Sequence, residues 1–187
     1  LGNQKRYQVT ALGVARTFQN IRLFSDMTAL ENVMVGRHVR AHSGLLGAIF
    51  QTKSFVAEEA AITKRAQELL DYVGIGKFSE YKARTLSYGD QRRLEIARAL
   101  AGYPSLLLLD EPAAGMNEGE TEALIQDIHT ARSQVKAMLL IEHDMGLIRS
   151  LSDRVVAMDY GRKIAEGSAS SVLAHPEVKK AYLGEDE

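Results

Sequence analysis

The chain has 187 residues, 45% of them hydrophobic, enough to bury a core within one domain or one domain carrying a subdomain. Lys+Arg 23 against Asp+Glu 24 leaves a net charge of -1, and no basic stretch with interleaved aromatics is present to track a nucleic-acid backbone, so free nucleic acid is not an expected partner. No apolar run approaches the roughly 20 residues of a membrane span, the first residues lack the charged-then-apolar layout of a signal peptide, and zero cysteines exclude disulfides and thiolate metal sites.

Residues 13–18 predict a short strand running into Gln19, and residues 28–39 have the apolar spacing of a helix. A glycine-punctuated apolar stretch follows over 44–50. Ile62, Ala66, Leu69, Leu70 and Val73 fall on one face of a helix over 57–73, with Gly74 at its C-terminal stop. A further helix starting near Tyr88 or Gly89 carries Leu94, Ala97, Leu100 and Ala101 inward and ends around Gly102 and Pro104. Short apolar strands over 106–110, 138–143 and 154–159 then alternate with helices at about 118–132 and 145–151, which predicts a parallel sheet with crossover helices. Residues 163–167 add a strand through the turn at Tyr160-Gly161, and 170–183 reads as helical with a break at Pro176. The expected layout is one α/β domain over 1–187, with a helical segment inserted over 23–84 and the remaining core and C-terminal region over 85–187.

Four places carry chemistry. The leucines of 106–109 end abruptly in Asp110 and Glu111, and charges at the end of a buried strand are costly to desolvate unless a cation compensates them. Phosphoryl-transfer enzymes put an aspartate there to hold Mg²⁺ through its water shell, and a neighbouring carboxylate to orient the attacking water. The bland alternative is a helix cap and a solvated neighbour. Ser87, Tyr88 and Gly89 precede a helix start, where unpaired N–H groups and the macrodipole favour an anion, although Ser87 by itself serves equally as an N-cap. His143 closes the strand over 138–143; it is either structural or a neutral imidazole that donates to a γ-phosphate and holds water near Glu111. The amide oxygen of Gln19 could complete a Mg²⁺ shell. The Gly-x-x-x-x-Gly-Lys-Ser/Thr phosphate loop occurs nowhere in the 187 residues.

The run Leu86-Ser87-Tyr88-Gly89-Asp90-Gln91-Arg92-Arg93-Leu94-Glu95, placed just before Leu106-Leu107-Leu108-Leu109-Asp110-Glu111-Pro112, resembles the second half of an ABC-type ATPase. Gln19, a helical insertion, the serine-glycine signature, the acidic strand and His143 stand in that family's order. Residues 16–24, 31–38, 110–117 and 141–145, with Ala181-Tyr182-Leu183-Gly184, are more closely similar to the ATP-binding subunits of bacterial branched-chain amino-acid importers, in particular the first of their two paired ATPases. The resemblance implies a P-loop NTPase fold with a RecA-like core and ATP with Mg²⁺ at the site. It implies Glu111 and His143 as catalytic residues, and Asp110 with Gln19 toward the metal. Gln19, Ser87, Tyr88, Gly89, Gln91, Asp110 and Asn117 would contact nucleotide, the signature residues reaching the phosphates of the opposite subunit in a head-to-tail dimer. Asn117 stands where most relatives have an aspartate, and it keeps a hydrogen-bonding side chain there.

The partners so implied are a second ATPase subunit, membrane permeases docked on the helical insertion and, indirectly, a periplasmic binding protein. The location is peripheral, on the cytoplasmic face of the inner membrane. The missing lysine-bearing loop leads us to expect an N-terminally truncated ATPase, inactive alone; the alternatives are a catalytically silent interaction module, or an ATPase for another cargo such as urea, amides or lipopolysaccharide.

Overall fold

In the computed structural model, which describes residues 4–38 and 51–183, the chain divides into two compact units, Leu1–Ile141 and Glu142–Glu187. The first is organised around strands β1 (Val14–Arg16), β2 (Leu106–Asp110) and β3 (Ala137–Ile141), parallel and in that spatial order. Val14 lies opposite Leu106, Leu106 opposite Ala137 and Asp110 opposite Ile141. Leu107 and Leu109 of the middle strand are fully buried while its alternate positions are half-buried, as expected for a strand flanked on both sides. The expected strand over 138–143 stops at Ile141, because Glu142 and His143 lead into a cap at Asp144. Parallel pairing demands long crossovers, and helices fill them.

A short helix α1 (Arg6–Ala11), with no buried residue, precedes β1; lacking an apolar face, it left no periodic signal in the sequence. Helix α2 (Ala29–Arg37) begins at a reciprocal cap in which Thr28 Oγ1 accepts the Glu31 N–H at 3.1 Å and the Glu31 carboxylate accepts the Thr28 N–H at 2.7 Å. Val39 and the apolar stretch over 44–50 lie outside the described residues. Helix α3 (Lys53–Tyr72) starts four residues before the expected 57, since Thr52 caps it by accepting the Phe55 N–H, and it ends before Gly74 at φ +77°. Ile62, Ala66, Leu69 and Leu70 are its buried face.

Helix α4 (Tyr88–Ala101) is capped by Ser87 and buries Leu94, Ile96, Ala97 and Leu100. Helix α2 crosses it so closely that a Cβ on Gly36 would sit 2.2 Å from the Arg98 carbonyl oxygen, so glycine is required there for packing. Helix α5 (Glu118–Arg132) connects β2 to β3 from a second reciprocal cap, Asn117 with Glu120.

The second unit comprises α6 (Met145–Leu151), an antiparallel pair β4 (Val155–Asp159) and β5 (Arg162–Gly167), α7 (Ala169–Leu173) and a final turn α8 (Pro176–Val178) that runs on as a wider turn through Lys179–Leu183. Its core is Ala157, Val172 and Val178, with Val155, Ile164 and Ala165 against them. The strand over 154–159, read from the sequence as a member of the parallel sheet, pairs antiparallel with β5 instead. Tyr160 and Gly161 both have positive φ, +43° and +78°, the backbone hand that a tight hairpin needs. Pro176 starts the last helical turn, with the break just before it, because the first helical position needs no N–H.

Candidate functional site

Strand β2 delivers Asp110 to its C-terminal end, and the next residue leaves the strand sharply: Glu111 has φ +43°, a left-handed conformation that costs a non-glycine residue about 1 kcal/mol. Its N–H donates to the Ile141 carbonyl at 2.9 Å, which fixes the turn to the end of β3. The reversal sends the two adjacent carboxylates to different partners. Asp110 Oδ2 accepts from Arg16 Nη2 at 2.5 Å, and Glu111 Oε2 accepts from Gln19 Nε2 at 2.7 Å.

Gln19 and Glu111, 92 positions apart, are thus brought together. An ionised carboxylate only accepts, so the glutamine presents its amide nitrogen to Glu111, and its carbonyl oxygen keeps the capacity to accept. Among the described residues no group of three or more His, Cys, Asp or Glu side chains converges on one point. A hard cation held by one or two carboxylates and by a substrate's phosphates needs no such cage. By donor type Asp110 and the Gln19 oxygen could take part in holding such a cation, and Asp110 Oδ2 is here paired with Arg16.

At the start of α4, Ser87 Oγ accepts the Asp90 N–H at 3.2 Å and donates its own proton to Asp90 Oδ2 at 2.7 Å. Asp90 faces Arg93 at 3.4 Å, whose Nε donates to Asp127 Oδ2 on α5 at 2.7 Å. Burial pushes the Asp127 carboxyl up, and this outweighs the lowering effect of Arg93; the same hydrogen bond holds the Arg93 guanidinium above its ordinary value. Ser87, Gly89, Asn117 and Asp127 help line a cavity of about 340 Å³. Tyr88 donates from its hydroxyl to the Ala114 carbonyl at 2.8 Å, which ties the signature turn to the loop after Glu111. Gln91 Nε2 braces the Leu86 carbonyl at 3.0 Å, and Asn117 Oδ1 accepts the Glu120 N–H at 3.0 Å.

His143 lies in the second unit, where its N–H donates to Glu142 Oε2 at 3.1 Å; its side chain is 71% exposed whereas that of Glu142 is 2% exposed. Sequence reasoning missed Arg16, Arg92 and Asp127. No local signal could have found the first, because its pairing with Asp110 depends on β1 lying beside β2.

The ABC transporter family model matches residues 3–114, and the model described as branched-chain amino acid ATP-binding cassette transporter matches residues 162–187. The chain is 43% identical over 180 residues to the high-affinity branched-chain amino acid transport ATP-binding protein BraF of Pseudomonas aeruginosa, covering 96% of this chain and 71% of that protein. It is 41% identical over 179 residues to the corresponding protein LivG of Escherichia coli strain K12, covering 95% and 70%. Among solved structures it is similar to the ADP conformation of an ATP-binding cassette of an ABC transporter, with a TM-score of 0.78, 29% identity, and coverage of 98% of this chain and 73% of that one.

Proposed function

The chain belongs to the ABC transporter family of ATP-binding cassettes, and from that premise we propose that it is the ATP-hydrolysing subunit that energises import of branched-chain amino acids. The match over residues 162–187 and the likeness to BraF and LivG support the cargo. No described helix is long and apolar enough to cross a membrane. In this reading, by likeness to the family, membrane passage falls to permease subunits, with this chain peripheral on the cytoplasmic face, its helical segment 23–84 the docking element, and a periplasmic binding protein upstream.

ATP supplies a γ-phosphoryl group that passes through a charge-dispersed transition state, and Mg²⁺ when bound neutralises part of that charge. Glu111 polarises the water that attacks it. Gln19 holds the Glu111 carboxylate by its amide hydrogen, and Asp110 with the Gln19 oxygen would hold the metal. The observation that carries this reading is the 2.7 Å hydrogen bond from Gln19 to Glu111, which joins two residues that packing alone has no reason to pair. The family resemblance alone assigns to His143 a hydrogen bond to the γ-phosphate. The Ser87 hydroxyl and the Gly89 N–H contact the phosphates of the opposing subunit in a head-to-tail dimer, with Tyr88, Gln91 and Asn117 shaping that surface.

In the assembled transporter, Glu111→Gln keeps size and hydrogen bonding but removes the charge, so ATP turnover should fall by about 10² or more while ATP binding persists. Turnover at the unsubstituted rate would reassign the base. The 187 residues carry no Gly-x-x-x-x-Gly-Lys-Ser/Thr pattern. A phosphate loop supplies several charge-assisted hydrogen bonds of about 1.5–3 kcal/mol each, so this polypeptide tested by itself should bind Mg-ATP only in the millimolar range. Isothermal titration giving a Kd below about 100 μM would show that phosphate binding does not need that loop.

A further inference from the structure

The signature helix α4 carries two charged side chains that the reading above leaves without a task, Arg92 and Glu95, with side chains 0% and 1% exposed. They face each other at 2.8 Å and are aimed at one short stretch of irregular backbone. Arg92 Nη1 donates to the Phe18 carbonyl at 2.8 Å and its Nη2 to the Gln19 carbonyl at 2.9 Å. Glu95 Oε1 accepts the N–H groups of Phe18 and Arg22, each at 3.4 Å. A planar guanidinium holds two carbonyls and a carboxylate with a rigid fork; an ammonium has three donors but no such fixed plane.

We propose that the buried Arg92–Glu95 pair is a clamp that positions Gln19 against Glu111, making the glutamine loop and the signature helix one mechanical unit. The inference rests on the proposed roles of Gln19 and Glu111. A second route reinforces the first: Arg92 Nη2 lies 3.4 Å from the Tyr88 hydroxyl, which donates to the Ala114 carbonyl, and the Ala114 N–H donates back to the Glu111 carbonyl at 3.1 Å. Arg92 therefore holds the Gln19 segment directly and reaches the Glu111 turn through the Tyr88 hydroxyl. Stability does not require an ion pair here, since well-packed apolar residues of similar volume commonly do as well in a buried site. Direction is what the pair adds, because apolar side chains cannot hold a carbonyl at a fixed angle. Arg92 and Glu95 are positioning residues, acting through the Phe18–Arg22 backbone.

The test compares the unsubstituted protein with Arg92→Lys, Arg92→Met and the double change Arg92→Met/Glu95→Leu. Amide hydrogen exchange over residues 18–22 is read on the purified chain, and kcat and KM for ATP are read in the assembled transporter. Arg92→Met leaves the buried Glu95 with only the longer 4.0 Å pairing to Arg98 and should lower the melting temperature. The double change should restore the melt yet leave exchange over 18–22 faster by about tenfold. In the transporter it should lower kcat by about tenfold with KM within about threefold, and adding Gln19→Ala should cost little more, as expected for residues acting as one unit. Arg92→Lys, which keeps the charge and loses the fork, should also expose the loop. A double variant that melts, exchanges and turns over like the unsubstituted protein would overturn the clamp. An unsubstituted transporter without ATPase activity would remove the functional reading, and the exchange data would still decide whether the pair holds the loop.

Discussion

Asp127 illustrates how one half-buried side chain makes stability depend on pH. Its carboxyl is pushed up by burial even though Arg93 Nε lies 2.7 Å away. A carboxyl raised in the folded state keeps its proton to higher pH there than in the unfolded chain, so its contribution is complete below the unfolded value, near pH 4. The contribution is then lost as pH climbs through the raised folded value. The melting temperature of the unsubstituted protein minus that of Asp127→Asn should therefore fall with rising pH across the acid range and level off above it. A difference curve that climbs would mean that Arg93 dominates and holds the carboxyl low. Glu111 shows the other residue-scale lesson. Its positive φ is strain retained where the chain must separate two adjacent carboxylates.

At the scale of elements, the contact between α2 and α4 sets the distance from the helical segment to the signature helix. Gly36 is its narrowest point. A methyl there meets the Arg98 carbonyl oxygen of the opposing backbone, 2.2 Å from the ideal Cβ position, and a backbone carbonyl cannot rotate aside as a side chain would. Gly36→Ala should cost about 2 kcal/mol despite the better helix propensity of alanine. Urea unfolding reads this as a lower midpoint with an unchanged slope; a midpoint equal to the unsubstituted one would show that the two helices separate freely.

For the whole molecule, the proposed cycle requires two copies of the nucleotide-binding surface. In the assembled ATPase carrying Glu111→Gln, trapped ATP should hold subunits together across Ser87 and Gly89. Adding Ser87→Arg puts a long side chain into the cavity at the start of α4, in place of the hydroxyl that pairs with Asp90. Light scattering should then show the ATP-dependent dimer weakened by at least about tenfold, roughly 1.4 kcal/mol. An unaltered dimer would place the contact elsewhere.

Much of this protein was legible in one dimension because the signals are local. The cap at Ser87, the stop at Gly74, and a leucine strand broken by Asp110 and Glu111 each declare themselves within a few residues. The family and the candidate site residues came from the same short runs. The strand over 154–159 was misassigned to the parallel sheet because periodicity reports that a segment is extended, not which neighbour it pairs with. Helix α1 carried no periodic signal because it buries nothing. The Arg16–Asp110 pair, the Gln19–Glu111 bond and the Arg92–Glu95 clamp join residues up to 94 positions apart. Those partnerships were decided only by tertiary structure, because the register of β1 on β2 and the seating of α4 against the glutamine loop determine which charges meet. Side-chain chemistry could be read from the sequence, whereas direction and distance exist only once the backbone has folded.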